Sequence, residues 1–106
     1  MVIYNNTAID DLTSILYGLK HWKKYELTEE HILNYVDDIT DSCDKLDRKT
    51  FHFNNKFSKY KKYGEKIHNY KRNKQTQWYV FYNIDRHGNI FINHIISNHI
   101  KRAETN

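Results

Sequence analysis

Apolar residues recur along this chain with two periods, and the change of period divides it into helical and extended halves. Residues 1–4, Met-Val-Ile-Tyr, read as a short opening strand, after which Asn5-Asn6-Thr7 break the pattern. Leu12, Ile15, Leu16, Leu19 and Trp22 follow at offsets of 3, 4, 7 and 10, one apolar face of a helix. Thr7 is the expected N-cap, with Asp10 three residues on as a weak form of the capping box. Gly18 within this stretch costs about 1 kcal/mol relative to Ala. Thr28 followed by Glu29 and Glu30 marks a second helix start: the hydroxyl caps free N–H groups, and the acids favour the positive end of the dipole. Ile32, Val36, Ile39, Cys43 and Leu46 repeat the stripe at offsets of 4, 7, 11 and 14. Helices are therefore expected near 7–24 and 28–47. Asp37, Asp38, Asp41 and Asp44 lie largely off the second stripe and read as its solvated face.

Residues 48–65 lack clear periodicity and read as a loop with a short turn of helix, ending at Gly64. Three strand candidates follow, at 66–72, 78–84 and 90–96, the second especially rich in β-formers. Asp85-Arg86-His87-Gly88-Asn89 joins the last two as a hairpin loop with Gly in a turn position, and Asn73 to Gln77 joins the first two. Lys101 to Asn106 reads as a polar tail. The order β-α-α-β-β-β implies an α+β fold, with two antiparallel N-terminal helices packed on one face of a twisted antiparallel sheet. A length of 106 residues fits one domain over 1–106.

Composition sharpens this picture. Nine Tyr, five Phe and two Trp are too many for a disordered chain. The single cysteine, Cys43, excludes an internal disulfide and a cysteine zinc site, and reads as a small core residue. The N-terminus lacks a basic flank followed by a long apolar run, so no signal peptide is expected, and no stretch approaches the ~20 apolar residues of a membrane span. The expectation is a soluble cytoplasmic protein without membrane contact.

Net charge is +4, but its distribution is uneven. Residues 1–47 carry four Lys or Arg against ten acids, a net of −6. Residues 48–74 carry ten Lys or Arg against one acid, Glu65, a net of +9. Residues 75–106 carry three against two, a net of +1. Such a block is an electrostatic footprint for a polyanion or an acidic partner, and the interleaved aromatics favour nucleic acid or an acidic protein partner over a merely solvated face.

The order of elements, with certain residues, resembles the RelE/ParE superfamily of toxins. The opening strand followed by Ala8, Asp11-Leu12 and Ile15 is similar to that family's first helix. Trp78-Tyr79-Val80-Phe81-Tyr82 resembles its central strand, and Gly88-Asn89-Ile90-Phe91-Ile92 through Ile95-Ile96-Ser97-Asn98-His99 its last strand, which ends on an Arg or a His. The resemblance implies a toxin held silent by a cognate acidic antitoxin. The RelE branch cleaves messenger RNA on the ribosome without metal, and the ParE branch poisons DNA gyrase. The resemblance also implies functional residues on the sheet face opposite the helices, here the basic strand 66–72 and the end of the last strand.

Metal-free RNA cleavage needs a base for the 2′-hydroxyl proton, an acid for the leaving oxygen and cations for the phosphate charge. His99 is the leading acid–base candidate. Arg72 is the leading phosphate stabiliser, ahead of Lys71, because an arginine makes paired hydrogen bonds. On a strand, Lys66, His68, Tyr70 and Arg72 share a face, which makes His68 a second acid–base candidate and places Lys71 on the other face. Tyr79 would stack on a base or donate a proton. His94 reads as an ordinary sheet residue with a hydrogen bond. Lys56, Lys59, Lys61, Lys62, Lys66, Lys71 and Lys74 are expected to bind the RNA backbone. The seven His show no i, i+4 helical pair, so neither metal nor other cofactor is expected. The competing readings are a gyrase inhibitor of the ParE kind and a non-catalytic nucleic-acid-binding module.

Overall fold

The computed structural model describes residues 1–20 and 29–98. Strand β1 (Val2–Tyr4) leads into helices α1 (Asn6–Lys20) and α2 (Glu29–Asp44). A 3₁₀ turn (Leu46–Arg48), the short strand β2 (Phe53–Asn54) and a 3₁₀ segment (Ser58–Tyr63) fill the stretch without periodicity. Strands β3 (Lys66–Lys71), β4 (Gln77–Ile84) and β5 (Ile90–Ser97) complete the α+β fold. The sheet has five strands in the order β1-β5-β4-β3-β2. It is mixed where an all-antiparallel sheet was expected, because β1 runs parallel to β5. The two helices between β1 and the rest supply the long crossover that a parallel neighbour requires.

The second predicted stripe lies on the core: Ile32, Ile39, Cys43 and Leu46 are buried, and Val36 is half-buried. Asp37, Asp38, Asp41 and Asp44 are exposed. The N-cap of α1 is Asn5, not Thr7: Asn5 Oδ1 accepts the Ala8 N–H at 3.0 Å, so the helix begins one residue before the predicted cap. Residues 21–24 of the predicted first helix, the Thr28 cap, His99 and the 101–106 tail lie outside the described residues.

Strand alternation gives the sheet two cores. Trp78, Val80 and Tyr82 of β4 join Ile90, Ile92 and Ile95 of β5 beneath Ala8, Ile39, Cys43 and Leu46. On the opposite face, Ile67, Phe81 and Ile96 pack with Tyr60 of the 3₁₀ segment, flanked by Phe57, Tyr63 and Tyr79. A register shift at Phe81/Tyr82 lets β5 place both Ile92 and Ile95 on the helix side, with Asn93 as the extra residue. Pairing with β1 covers β5 only over Ile90–Ile92. Beyond it Asp11 of α1 closes the edge, its Oδ2 accepting the Ile95 N–H at 2.8 Å.

The segment after β2 is folded around Asn55, which is fully buried. Its Nδ2 donates to the carbonyls of Tyr60 (3.1 Å) and Gly64 (2.9 Å), and its Oδ1 accepts the Phe57 N–H at 3.1 Å. Its own N–H donates to the Glu65 carbonyl at 2.8 Å. Gly64 passes so close to β4 that a Cβ there would lie 2.6 Å from the Tyr82 carbonyl oxygen and 2.7 Å from its nitrogen. Both partners are backbone in the middle of the sheet and cannot yield.

Asn55→Ala is expected to strand two buried carbonyls and a part-buried N–H, lowering stability by about 2–4 kcal/mol. Gly64→Ala is expected to cost about 1–3 kcal/mol through the forced shift of the segment against β4. Urea unfolding followed by tryptophan fluorescence measures both. Near-wild-type midpoints would show that residues 55–64 are not locked to the sheet.

Candidate nucleic-acid interface

The basic block divides its side chains by kind. Tyr60 is buried, its ring stacked on Phe81 with centroids 5.2 Å apart, and Phe57 meets Tyr79 edge-on at 5.7 Å. Lys56, Lys59, Lys61 and Lys62 of the same segment stay exposed. Lys62 Nζ also lies 5.1 Å from the centre of the Tyr63 ring. Lys71 and Lys74 are exposed at and beyond the end of β3. Lys66 is half-buried, its Nζ donating to Asn54 Oδ1 at 2.6 Å. The aromatics anchor the stretch to the far face of the sheet, and the lysines are left on a fixed outer surface.

The residues expected to perform cleavage are not brought together among the described residues. His68 and Tyr70 pair with Val80 and Trp78, whose side chains belong to the helix-side core, so the shared face of β3 lies under α2 instead of opposite it. Arg72 forms an ion pair with Asp38 of α2 and lies over the Tyr35 ring, 4.3 Å from its centre. These contacts tie the end of β3 to α2. Tyr79 sits on the other side of the sheet, against Phe57. Strand alternation was legible in the sequence; which face the helices cover was not.

A cavity of about 190 Å³ opens between β3 and the 46–53 stretch, lined by Leu46, Lys49, Phe51, His52, Phe53, Ile67, His68, Asn69 and Tyr82. The hydrogen bonds set both imidazole tautomers. His52 Nε2 lies 3.2 Å from the Lys49 carbonyl and so carries a proton, which leaves Nδ1 to accept the Tyr82 hydroxyl at 2.7 Å. Ser42 Oγ donates to the Ile39 carbonyl at 2.8 Å and therefore accepts from His68 Nε2–H at 3.3 Å. His68 Nδ1 keeps a lone pair with no hydrogen-bond partner among the described residues. Burial, reinforced by the Lys49 charge, pushes the His68 pKa down to about 4, so the ring is neutral near pH 7. Burial, with the nearby Cys43, pushes the Tyr82 phenol up to about 12, so it stays a donor. Phe51 and Phe53 form an exposed edge-to-face pair, with centroids 4.9 Å apart, at the rim. Lys49, His52 and Phe53 were not singled out in the sequence as cavity residues, since the cavity exists only once β2 pairs with β3.

On the far face, His94 Nδ1 lies 2.7 Å from Asp11 Oδ2, and its ring lies tilted against Tyr63 with centroids 4.1 Å apart. The carboxylate fixes the proton on Nδ1, and Nε2 has no hydrogen-bond partner among the described residues. The hydrogen bond expected of His94 is present, but its partner is 83 residues away in sequence. No three His, Cys, Asp or Glu side chains among the described residues come together as a metal-binding group. No helix among them is long and apolar enough to cross a membrane.

His68 titrates near 4 in the folded chain and near 6.5 when unfolded, so between those values the unfolded chain binds more protons. Stability is full above pH 6.5 and falls as pH drops toward 4. His68→Gln should make that fall shallower by up to one proton, read from urea midpoints across the window; an unchanged slope would show that His68 is not buried as a neutral ring. Arg72→Ala should lower stability by about 1 kcal/mol, and Arg72→Lys should recover the ion pair but not the ring contact with Tyr35. Comparison with family models, with curated proteins and with solved structures finds no match to this chain.

Proposed function

We propose that the chain binds single-stranded RNA along the basic surface of residues 48–74. In keeping with its resemblance to the RelE/ParE superfamily, we read it as the toxin of a toxin–antitoxin pair, held silent by an acidic antitoxin on the same surface. One observation carries the binding reading: Tyr60, Phe57 and Tyr63 turn toward the sheet while Lys56, Lys59, Lys61 and Lys62 remain exposed on a segment locked by Asn55. Cations held at fixed positions meet a phosphate backbone at lower ordering cost than cations on a loose loop.

Cleavage of the bound RNA is a second reading, favoured by the Asp11–His94 pair. In it, His94 Nε2 takes the 2′-hydroxyl proton as that oxygen attacks phosphorus, the P–O5′ bond breaks with the leaving 5′-oxygen taking a proton from water, and Lys62, beside Tyr63, faces the phosphate charge. Such cleavage leaves a 2′,3′-cyclic phosphate and continues in EDTA. His94→Ala should then abolish cleavage while RNA binding persists. Arg72→Ala, which removes a contact to α2, should leave the chemical step in place.

Binding is tested with a short single-stranded RNA titrated at several salt concentrations. The logarithm of affinity should fall linearly with the logarithm of salt, by roughly 0.7 per phosphate engaged. Lys56→Ala and Lys61→Ala should each reduce the slope by about that amount, and an acidic peptide should compete. Salt-independent binding, or slopes unchanged in both variants, would remove this surface from the interface. Growth arrest on induction, relieved by co-expression of the acidic partner, tests the toxin reading.

A further inference from the structure

The RNA-binding reading leaves the cavity beside β3 without a role, and its lining has the chemistry of a base pocket. At about 190 Å³ it is smaller than the roughly 300–1,000 Å³ sites of drug-sized ligands, which suits a single ring system. The ligand it suits is flat: two exposed phenylalanines stand at the rim, where apolar side chains this exposed contribute little to the fold. It also carries hydrogen-bonding groups on its edge, because the lining adds the polar residues Lys49, His68 and Asn69 to the rings. His68 lines the cavity, and its Nδ1 keeps a lone pair without a hydrogen-bond partner among the described residues.

Asn69 supplies the complementary groups. The Arg72 N–H turns to the Thr76 carbonyl across the β3–β4 hairpin at 2.9 Å, so even-numbered main-chain groups of β3 face β4 and odd-numbered ones face outward. Outward from Ile67 lies Phe53 of β2, and β2 pairs with β3 only at Phe53 and Asn54. The Asn69 N–H and carbonyl therefore face a strand edge that no other described strand covers, beside the cavity that Asn69 lines. A donor and an acceptor on one main-chain residue match the mixed edge of a nucleobase. Lys49 lines the same cavity and gives a cation for the attached phosphate.

We propose that this cavity takes one unstacked nucleobase, its face against Phe51 and Phe53 and its edge on Asn69 and His68, with Lys49 toward its phosphate. The proposal rests on the RNA-binding reading and adds to it a site that senses the base, where the lysine surface senses only the backbone. His68, neutral at pH 7, serves there as an acceptor. The base comes either from a bound strand or from a free nucleotide, and the two sources separate in the test.

The test compares a ten-nucleotide RNA containing all four bases with an abasic strand of equal length, by fluorescence anisotropy. Phe51→Ala and Phe53→Ala are chosen because both side chains are two-thirds exposed, at 66% each, and hold little of the core. Each should weaken RNA binding by about five- to 150-fold, the range of one lost base–aromatic stack, with the salt slope unchanged. Neither should alter binding of the abasic strand, and wild type should bind the abasic strand more weakly than RNA. Equal affinity of wild type for the two strands, or RNA affinity untouched by both substitutions, overturns the pocket while leaving the lysine surface standing. If wild type binds neither strand, the RNA-binding reading falls, and the four nucleoside 5′-monophosphates then decide the pocket alone. Saturable shifts of the His68 and Phe53 ring resonances would keep it as a nucleotide site; their absence would end it.

Discussion

The arrangement of this protein depends on one buried amide. Asn55 is fully enclosed, and such a group destabilises a fold unless each of its polar atoms is bonded. Here they are, to Tyr60, Gly64 and Phe57, all within the next nine residues. The side chain thus replaces the ladder or helix bonds that an irregular stretch lacks and draws residues 55–64 into one compact loop. Gly64 lets that loop close against β4 at a distance no side chain would permit. The most highly charged part of the chain is accordingly held to the sheet and not displayed on a loose excursion.

This constraint explains how so many like charges are accommodated in one segment. Repulsion among Lys56, Lys59, Lys61 and Lys62 is offset by the burial of Tyr60 and partial burial of Phe57 and Tyr63 in the second core. Burying such rings is worth roughly 1.5–3 kcal/mol each, more than exposed charges a few residues apart cost in water. The second core also means that the sheet face opposite the helices is covered over its middle. The surface available to an anionic ligand is the outside of the basic segment and the β3 edge, not the sheet itself.

Three histidines show how one residue type is assigned different work by its surroundings. His68 is desolvated beneath α2 and stays neutral. His52 is held at both nitrogens, by the Lys49 carbonyl and the Tyr82 hydroxyl, so it shapes the cavity wall and has no free lone pair to offer. His94 is oriented by a carboxylate with its second nitrogen unclaimed among the described residues. Proton transfer thus has a stronger geometric basis on the Asp11 side of the molecule than at His68, which is placed to accept a hydrogen bond near neutral pH.

Local periodicity and charge order, both properties of neighbouring residues, were determined by the sequence itself. The α2 stripe from Ile32 to Leu46, the three late strands and the +9 block over 48–74 could be read from spacing alone, because helices and strands repeat every few residues. Tertiary structure alone decided which way those elements faced and what met across long separations. The parallel pairing of β1 with β5, the burial of the His68 face of β3 under α2, and the capture of Arg72 by Asp38 and Tyr35 join residues 26 or more positions apart. The Asp11–His94 contact spans 83 positions, and the cavity beside β3 appears only when β2 docks on β3. Period-two alternation says which side chains share a face but is silent on which face is covered; that depends on where the helices can close the larger apolar area, a property of the whole packed chain.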